Sequence, residues 1–109
     1  MARILICEPH GDIEALLRVV IERLGHEAVH YEGGPVDDVD AAVIEPGQGD
    51  GLRLARSLGA RDVPLLFTSI YPPATEALAL DPAAYLVKPF PLSAIQRALD
   101  AALGAHVVG

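Results

Sequence analysis

Short apolar runs alternate with amphipathic stripes along almost the whole chain, and this alternation constrains the fold more than any other feature. The run 3-RILIC-7, bounded by Glu8-Pro9-His10-Gly11, has the pattern of a strand buried on both faces. Runs 41-AAVIE-45 and 84-AYLV-87 read the same way. So does 64-PLLFTS-69, whose proline stands at the start because it cannot sit inside a central strand. The run 27-EAVHY-31 is half polar and is expected at a sheet edge. Between these runs, Ile13, Leu16, Leu17, Val20, Ile21 and Leu24 recur at helical spacing, with Asp12 as the expected N-cap and Gly25 as the stop. Asp50 is expected to cap a second helix carrying Leu52, Leu54, Ala55 and Leu58, closed by Gly59. Segment 75-TEALAL-80 offers one or two turns, and Ser93 with Gln96 suggests a capping box for a helix facing inward through Ile95, Leu99, Ala102 and Leu103. Strands alternating with helices imply an α/β domain: a doubly wound, five-stranded parallel sheet covered on both faces.

The totals fit that reading. A chain of 109 residues, 51% apolar, makes a single domain with one core and needs neither disulfide nor metal to close it. A lone cysteine, Cys7, leaves no intrachain bridge and suits a reducing compartment. No apolar run approaches the ~20 residues of a membrane helix, and Arg3-Ile4-Leu5-Ile6-Cys7 reaches Glu8 too soon for a secretory signal. A soluble, cytoplasmic protein is therefore expected. Net charge is −7 and the eight basic residues are scattered, which argues against nucleic acid as a partner.

In open parallel sheets, ligands sit where the carboxyl ends of the strands open. The expected strand ends here are Glu8, Glu45, Ser69 and Lys88, two carboxylates with a hydroxyl and a lysine. That set, taken in chain order, resembles the receiver domain of two-component response regulators. The resemblance spans essentially the whole chain: 3-RILICEPHGDIEALL-17 looks like the first strand, acidic turn and first helix, and 64-PLLFTS-69 like a strand ending in a conserved hydroxyl. Most specific is 85-YLVKPF-90, similar to the family's switch aromatic, invariant lysine and cis-proline partner. The resemblance implies a flavodoxin-like sheet of strand order 2-1-3-4-5. It also implies a phosphoacceptor pocket at Glu8, Pro9, Glu45, Ser69 and Lys88, with Tyr85 and Phe90 on the switch and output face. Family chemistry is phosphoryl transfer to an aspartate, with Mg²⁺ held by an acidic pair and the acceptor.

The departures fall on the reactive half. Pro9 stands where the second metal-binding carboxylate belongs, His10 where a third acid often follows, and Glu45 where the aspartate belongs. The loop 46-PGQGDG-51 is also short. A glutamate can form an acyl phosphate, but its extra methylene displaces the nucleophile by over an ångström, and ~1 Å can cost ~100-fold. The reading is a pseudo-receiver acting in a phosphorelay-type pathway through protein contact, not as an enzyme. Its partner would be a histidine kinase, an output protein or a second copy as a homodimer. In it Glu45 reaches toward Lys88, no cofactor is required and Mg²⁺ binding is weak or absent, with Glu8 and Glu45 the sole metal candidates. The alternative is a regulator phosphorylated on Glu45. A flavin or nucleotide site is disfavoured because 8-EPHGD-12 lacks a phosphate cradle.

Several residues have ordinary readings. Asp50 before Gly51 is an N-cap and not the acceptor; Cys7 is inert core, its thiol held back by nearby carboxylates. His10 is a polar loop residue, not a zinc ligand, since no second histidine is expected at a strand end. His26, His30 and His106 fall on surface or edge positions. Tyr85 is read as a mobile surface aromatic. Only 32-EGGPVDDVD-40 joins the second and third strands, where the family has a helix. Such a coil can bridge the gap, since nine residues span up to ~30 Å extended, but it leaves one flank thinly covered.

Overall fold

The computed structural model describes residues 1–104; His106 and the tail that follows Gly104 lie outside them. Each apolar run becomes a strand and each amphipathic stripe a helix. The order is β1 (Arg3–Cys7), α1 (Gly11–Arg23), β2 (Glu27–His30), β3 (Ala41–Ile44), α2 (Gly51–Gly59), β4 (Leu65–Ser69), α3 (Thr75–Leu78), β5 (Ala84–Val87) and α4 (Leu92–Gly104). The strands form one parallel sheet of order β2-β1-β3-β4-β5. The half-polar strand β2 is an edge, as its pattern requires, and the fully buried β3 lies at the centre.

Alternation along the strands divides the core in two. Ile4, Ile6, Val43 and Leu66 face α1 and α4, meeting Leu17, Ile21, Ile95 and Leu99. Leu5, Ala42, Ile44, Leu65 and Phe67 face the opposite way, onto Leu54, Leu58 and Ala77. Each fully buried leucine or isoleucine contributes ~1.5–3 kcal/mol relative to leaving it in water.

Two helix N-termini, those of α1 and α4, differ from the expected caps. α1 begins at Gly11 with His10 at the N-cap position, and Asp12 sits in the first turn accepting the Ile13 N–H at 2.9 Å. There its charge favours the helix dipole without capping the helix. Asp50 does occupy the N-cap of α2, though its side chain makes no cap hydrogen bond. α4 starts at Leu92, so Ser93 lies inside the helix and the capping box does not form. Gly25 takes φ +87° and ends α1 as expected; after α2 the left-handed residue is Asp62 (φ 61°), not Gly59.

Residues 31–40 between β2 and β3 form no helix. Polar ties hold this coil down, among them the Arg3 N–H to Asp40 Oδ2 (2.7 Å), Arg3 Nη1 to the Asp38 carbonyl (3.3 Å) and Arg61 Nη1 to the Val36 carbonyl (3.2 Å). Tyr31, Val36 and Val39 pack partly buried onto the α2-side core. A cleft of about 430 Å³ remains beside them, over Leu5 and Val29. The thin flank is therefore real, but the coil's own side chains cover it. Among the described residues, the exposed large hydrophobics lie elsewhere, five of the seven (Ile70, Tyr71, Leu78, Val87 and Leu92) between the end of β4 and the start of α4.

Candidate functional site

The parallel sheet brings Glu8, Glu45, Ser69 and Lys88 to one edge, each at or just beyond the carboxyl end of its strand. Backbone hydrogen bonds carry the ladder past the strands: the Glu45 N–H donates to the Cys7 carbonyl (2.9 Å) and the Lys88 N–H to the Ser69 carbonyl (2.7 Å). The side chains of Glu8 and Glu45 are fully buried and that of Lys88 is 7% exposed.

Lys88 sits between two acids but closer to one. Its Nζ lies 2.6 Å from Glu8 Oε1 and 3.8 Å from Glu45 Oε1. The short contact is an ion pair by distance, while its angles leave the ammonium without an aligned hydrogen-bond acceptor. The expected Glu45–Lys88 pairing is thus the weaker half of a shared ammonium. Among the described residues, Glu45 Oε2 accepts only a long hydrogen bond from the Gly47 N–H (3.4 Å), and Glu45 Oε1 receives none.

Glu8 is far better held. Thr68 Oγ1 donates to Oε1 at 3.2 Å, and Oε2 receives the His10 backbone N–H at 3.2 Å and lies 2.9 Å from His10 Nδ1. Burial works to raise the Glu8 pKa and is the largest single influence. Lys88 and the two bonds from His10 together outweigh it and hold the carboxyl below its ordinary value. Thr68 escaped the sequence reading, which took only the last residue of β4. The period of two could have found it, because Thr68 shares its parity with Leu66, on the face to which Glu8 also belongs.

Ser69 makes no hydrogen bond to either acid; its Oγ accepts the Tyr71 N–H at 3.1 Å. Pro9 is exposed and offers nothing to the pocket. Tyr85 is half-buried, with its ring edge-on to Phe67 at 6.1 Å and its hydroxyl donating to the Tyr71 carbonyl (3.2 Å). It is therefore an anchored aromatic in this structure and not a free surface one. Phe90 packs partly buried on the α1/α4-side core, and the Lys88–Pro89 peptide is cis.

Cys7 has its thiol pushed up to about 11, first by burial and then by the charges of Asp50, Glu8 and Glu14, so it is unreactive at neutral pH. His30 does end a strand, contrary to expectation, but its Nδ1 is bound to the Glu14 carboxylate at 2.8 Å. His26 Nδ1 accepts the Ala2 N–H (3.1 Å), a structural tie at the β1–β2 edge. Among the described residues, no three His, Cys, Asp or Glu side chains gather so as to hold a metal ion. Mg²⁺ prefers several oxygens in near-octahedral array; here one of the pocket's two carboxylates is paired with an ammonium, and Pro9 supplies no side-chain oxygen.

No family profile and no curated protein sequence matches the chain. Solved structures do. The signal receiver domain of a modulated diguanylate cyclase from Desulfovibrio desulfuricans G20 is similar at TM-score 0.78 and 22% identity, covering 96% of this chain and 95% of that one. A response regulator receiver protein from Burkholderia phymatum gives 0.80 and 23%, over 95% and 96%. A response regulator from Thermotoga maritima gives 0.81 at only 13% identity, over 95% and 98%. Along almost its entire length, then, the chain has the fold of a response-regulator receiver domain.

Proposed function

We propose that the chain is a receiver-like signalling module that works by protein–protein contact and is not phosphorylated at its Glu45 position. The observation that carries this reading is the allegiance of Lys88, 2.6 Å from Glu8 against 3.8 Å from Glu45. In the family's chemistry that lysine answers the transferred phosphoryl group; here an internal carboxylate already holds it. Support also comes from the poor fit of the donor set to Mg²⁺, without which phosphoryl charge is hard to neutralise. The group of exposed apolar side chains from Ile70 to Leu92 is where a protein partner would find purchase. That partner would be a histidine kinase, an output protein or a second copy of the chain, in the cytoplasm.

The test is incubation with a small acyl-phosphate donor and Mg²⁺, followed by intact mass. No phosphoryl adduct is expected on the wild-type chain, and titration with Mg²⁺ should show no saturable binding in the millimolar range. A stable adduct that disappears in Glu45→Gln would overturn the reading in favour of a phosphoacceptor glutamate.

A further inference from the structure

Residues 31–40 cover a flank of the sheet without forming a helix, and the way they are held differs from the rest of the fold. Two clefts flank this coil. One of about 430 Å³ lies on the β2 side over Leu5 and Val29, and one of about 180 Å³ lies on the α2 side against Leu54 and Leu58. Tyr31, Gly34, Pro35 and Val36 line both, so the coil itself is the wall between them.

The coil is fastened firmly at its ends and loosely in between. At the ends its backbone continues the sheet ladder: the Tyr31 N–H donates to the Ile6 carbonyl (2.9 Å) and the Asp40 N–H to the Arg3 carbonyl (2.8 Å). From Glu32 to Val39 no backbone N–H donates a hydrogen bond within the described residues. Two arginines, one on either bank, hold the middle through their side chains. Arg3 Nη1 donates to the Asp38 carbonyl (3.3 Å), Arg61 Nη1 to the Val36 carbonyl (3.2 Å), and Arg61 Nη2 lies 3.5 Å from Asp38 Oδ1. The apolar hold is Tyr31, Val36 and Val39, each only partly buried.

Lifting the middle strands nothing. Arg61 and Asp38 are exposed, so water replaces their mutual contact and no charge is left buried. Arg3 keeps its ion pair with Glu27 at 3.3 Å. Gly33, at φ +92°, and Gly34 have open space on the side where a Cβ would stand, and glycine backbone turns freely. Three partly buried side chains are set against the backbone freedom of the whole ordered coil. Segments held this thinly open on their own, below the free energy of global unfolding.

We propose that residues 31–40 form a strap that lifts off α2 while the sheet stays folded, joining the two clefts into one apolar trough over Leu5, Val29, Leu54 and Leu58. The device uses no residue of the strand-end pocket, so it stands or falls separately from the signalling reading.

Proteolysis of the folded protein by thermolysin tests it. That enzyme cuts on the amino side of apolar residues, and Val36 and Val39 are the strap's own anchors, so neither bond can be cut while the strap is docked. Fragments are identified by mass, and rates are corrected for the effect of urea on the enzyme with an unstructured peptide. Within residues 1–104 the first cuts are expected before Val36 or Val39, at a rate changing less than about twofold over the urea range in which the chain stays folded. A route through global unfolding would instead accelerate about tenfold per molar urea. Arg61→Ala removes both side-chain ties from the α2 bank at an exposed position and should speed the same cuts severalfold. First cuts elsewhere in residues 1–104, no cleavage before the unfolding transition, a tenfold-per-molar acceleration, or an unchanged rate in Arg61→Ala would each overturn the proposal.

Discussion

Lys88 carries one charge and faces two carboxylates, and at the scale of single residues that imbalance is the most consequential feature of the molecule. Removing one member of a buried ion pair strands the other, at a cost of ~3–5 kcal/mol. Lys88→Met is expected to lose that much in urea unfolding, and Glu8→Gln added to it should recover a good part, because a neutral amide is cheaper to bury than a stranded carboxylate. A loss below ~1 kcal/mol would mean that the pair behaves as a solvated one. Glu8 also sets an acid limit. Its pKa is lowered by folding, so the unfolded chain binds the proton more readily; the stabilisation is complete above the ordinary value of 4.5 and fades as pH falls below it. Unfolding midpoints should therefore drop below about pH 4.5, and Glu8→Gln should flatten that part of the profile. The four strand-end residues were legible in the sequence because a buried run that ends on a polar residue announces a sheet edge. The partner of Lys88 was not, since it turns on a difference between 2.6 and 3.8 Å that no spacing encodes.

Among the elements, α2 shows how a glycine can fix a helix against the strand before it. A Cβ on Gly51 would overlap the Glu45 carbonyl oxygen and stand 3.3 Å from Ile44 Cγ2, so only glycine lets the helix start this close to the end of β3. Gly51→Ala is expected to destabilise at or above the upper end of the ~1–3 kcal/mol typical of overpacking, because backbone cannot move aside as a side chain can. Gly59→Ala, at the other end of the helix, meets only Leu65 Cδ1 at 3.7 Å and should gain ~0.4–1 kcal/mol by restricting the unfolded chain. Thermal unfolding of the two variants would separate these opposite signs. Helix existence was readable from the apolar stripes, as were the Asp50 N-cap and the Gly25 stop; the other two N-caps were not. Asp12 and Ser93 are cap-type residues that sit inside their helices, because packing of the inner face fixed where each helix begins.

At the level of the whole molecule, net charge is −7 and the isoelectric point lies near 4.8. Self-repulsion that keeps the chains apart at neutral pH vanishes there. Turbidity should accordingly rise as pH approaches 4.8, and added salt at neutral pH should not mimic the effect. The sheet itself was legible at this scale: short runs buried on both faces demand helices above and below, and the half-polar run had to take an edge. The shortness of the β2–β3 connection foretold the missing helix, though not that Tyr31, Val36 and Val39 would fold down to cover the flank. What the amino-acid order determined alone is the architecture, because apolar periodicity is a local property that a single segment carries. What only the tertiary structure decided is the chemistry of the sheet edge: that Thr68 and His10 hold Glu8, and that Glu45 is left short of donors. Those outcomes depend on distances between residues up to 80 positions apart, such as Glu8 and Lys88, and such distances exist only once the chain has closed on itself.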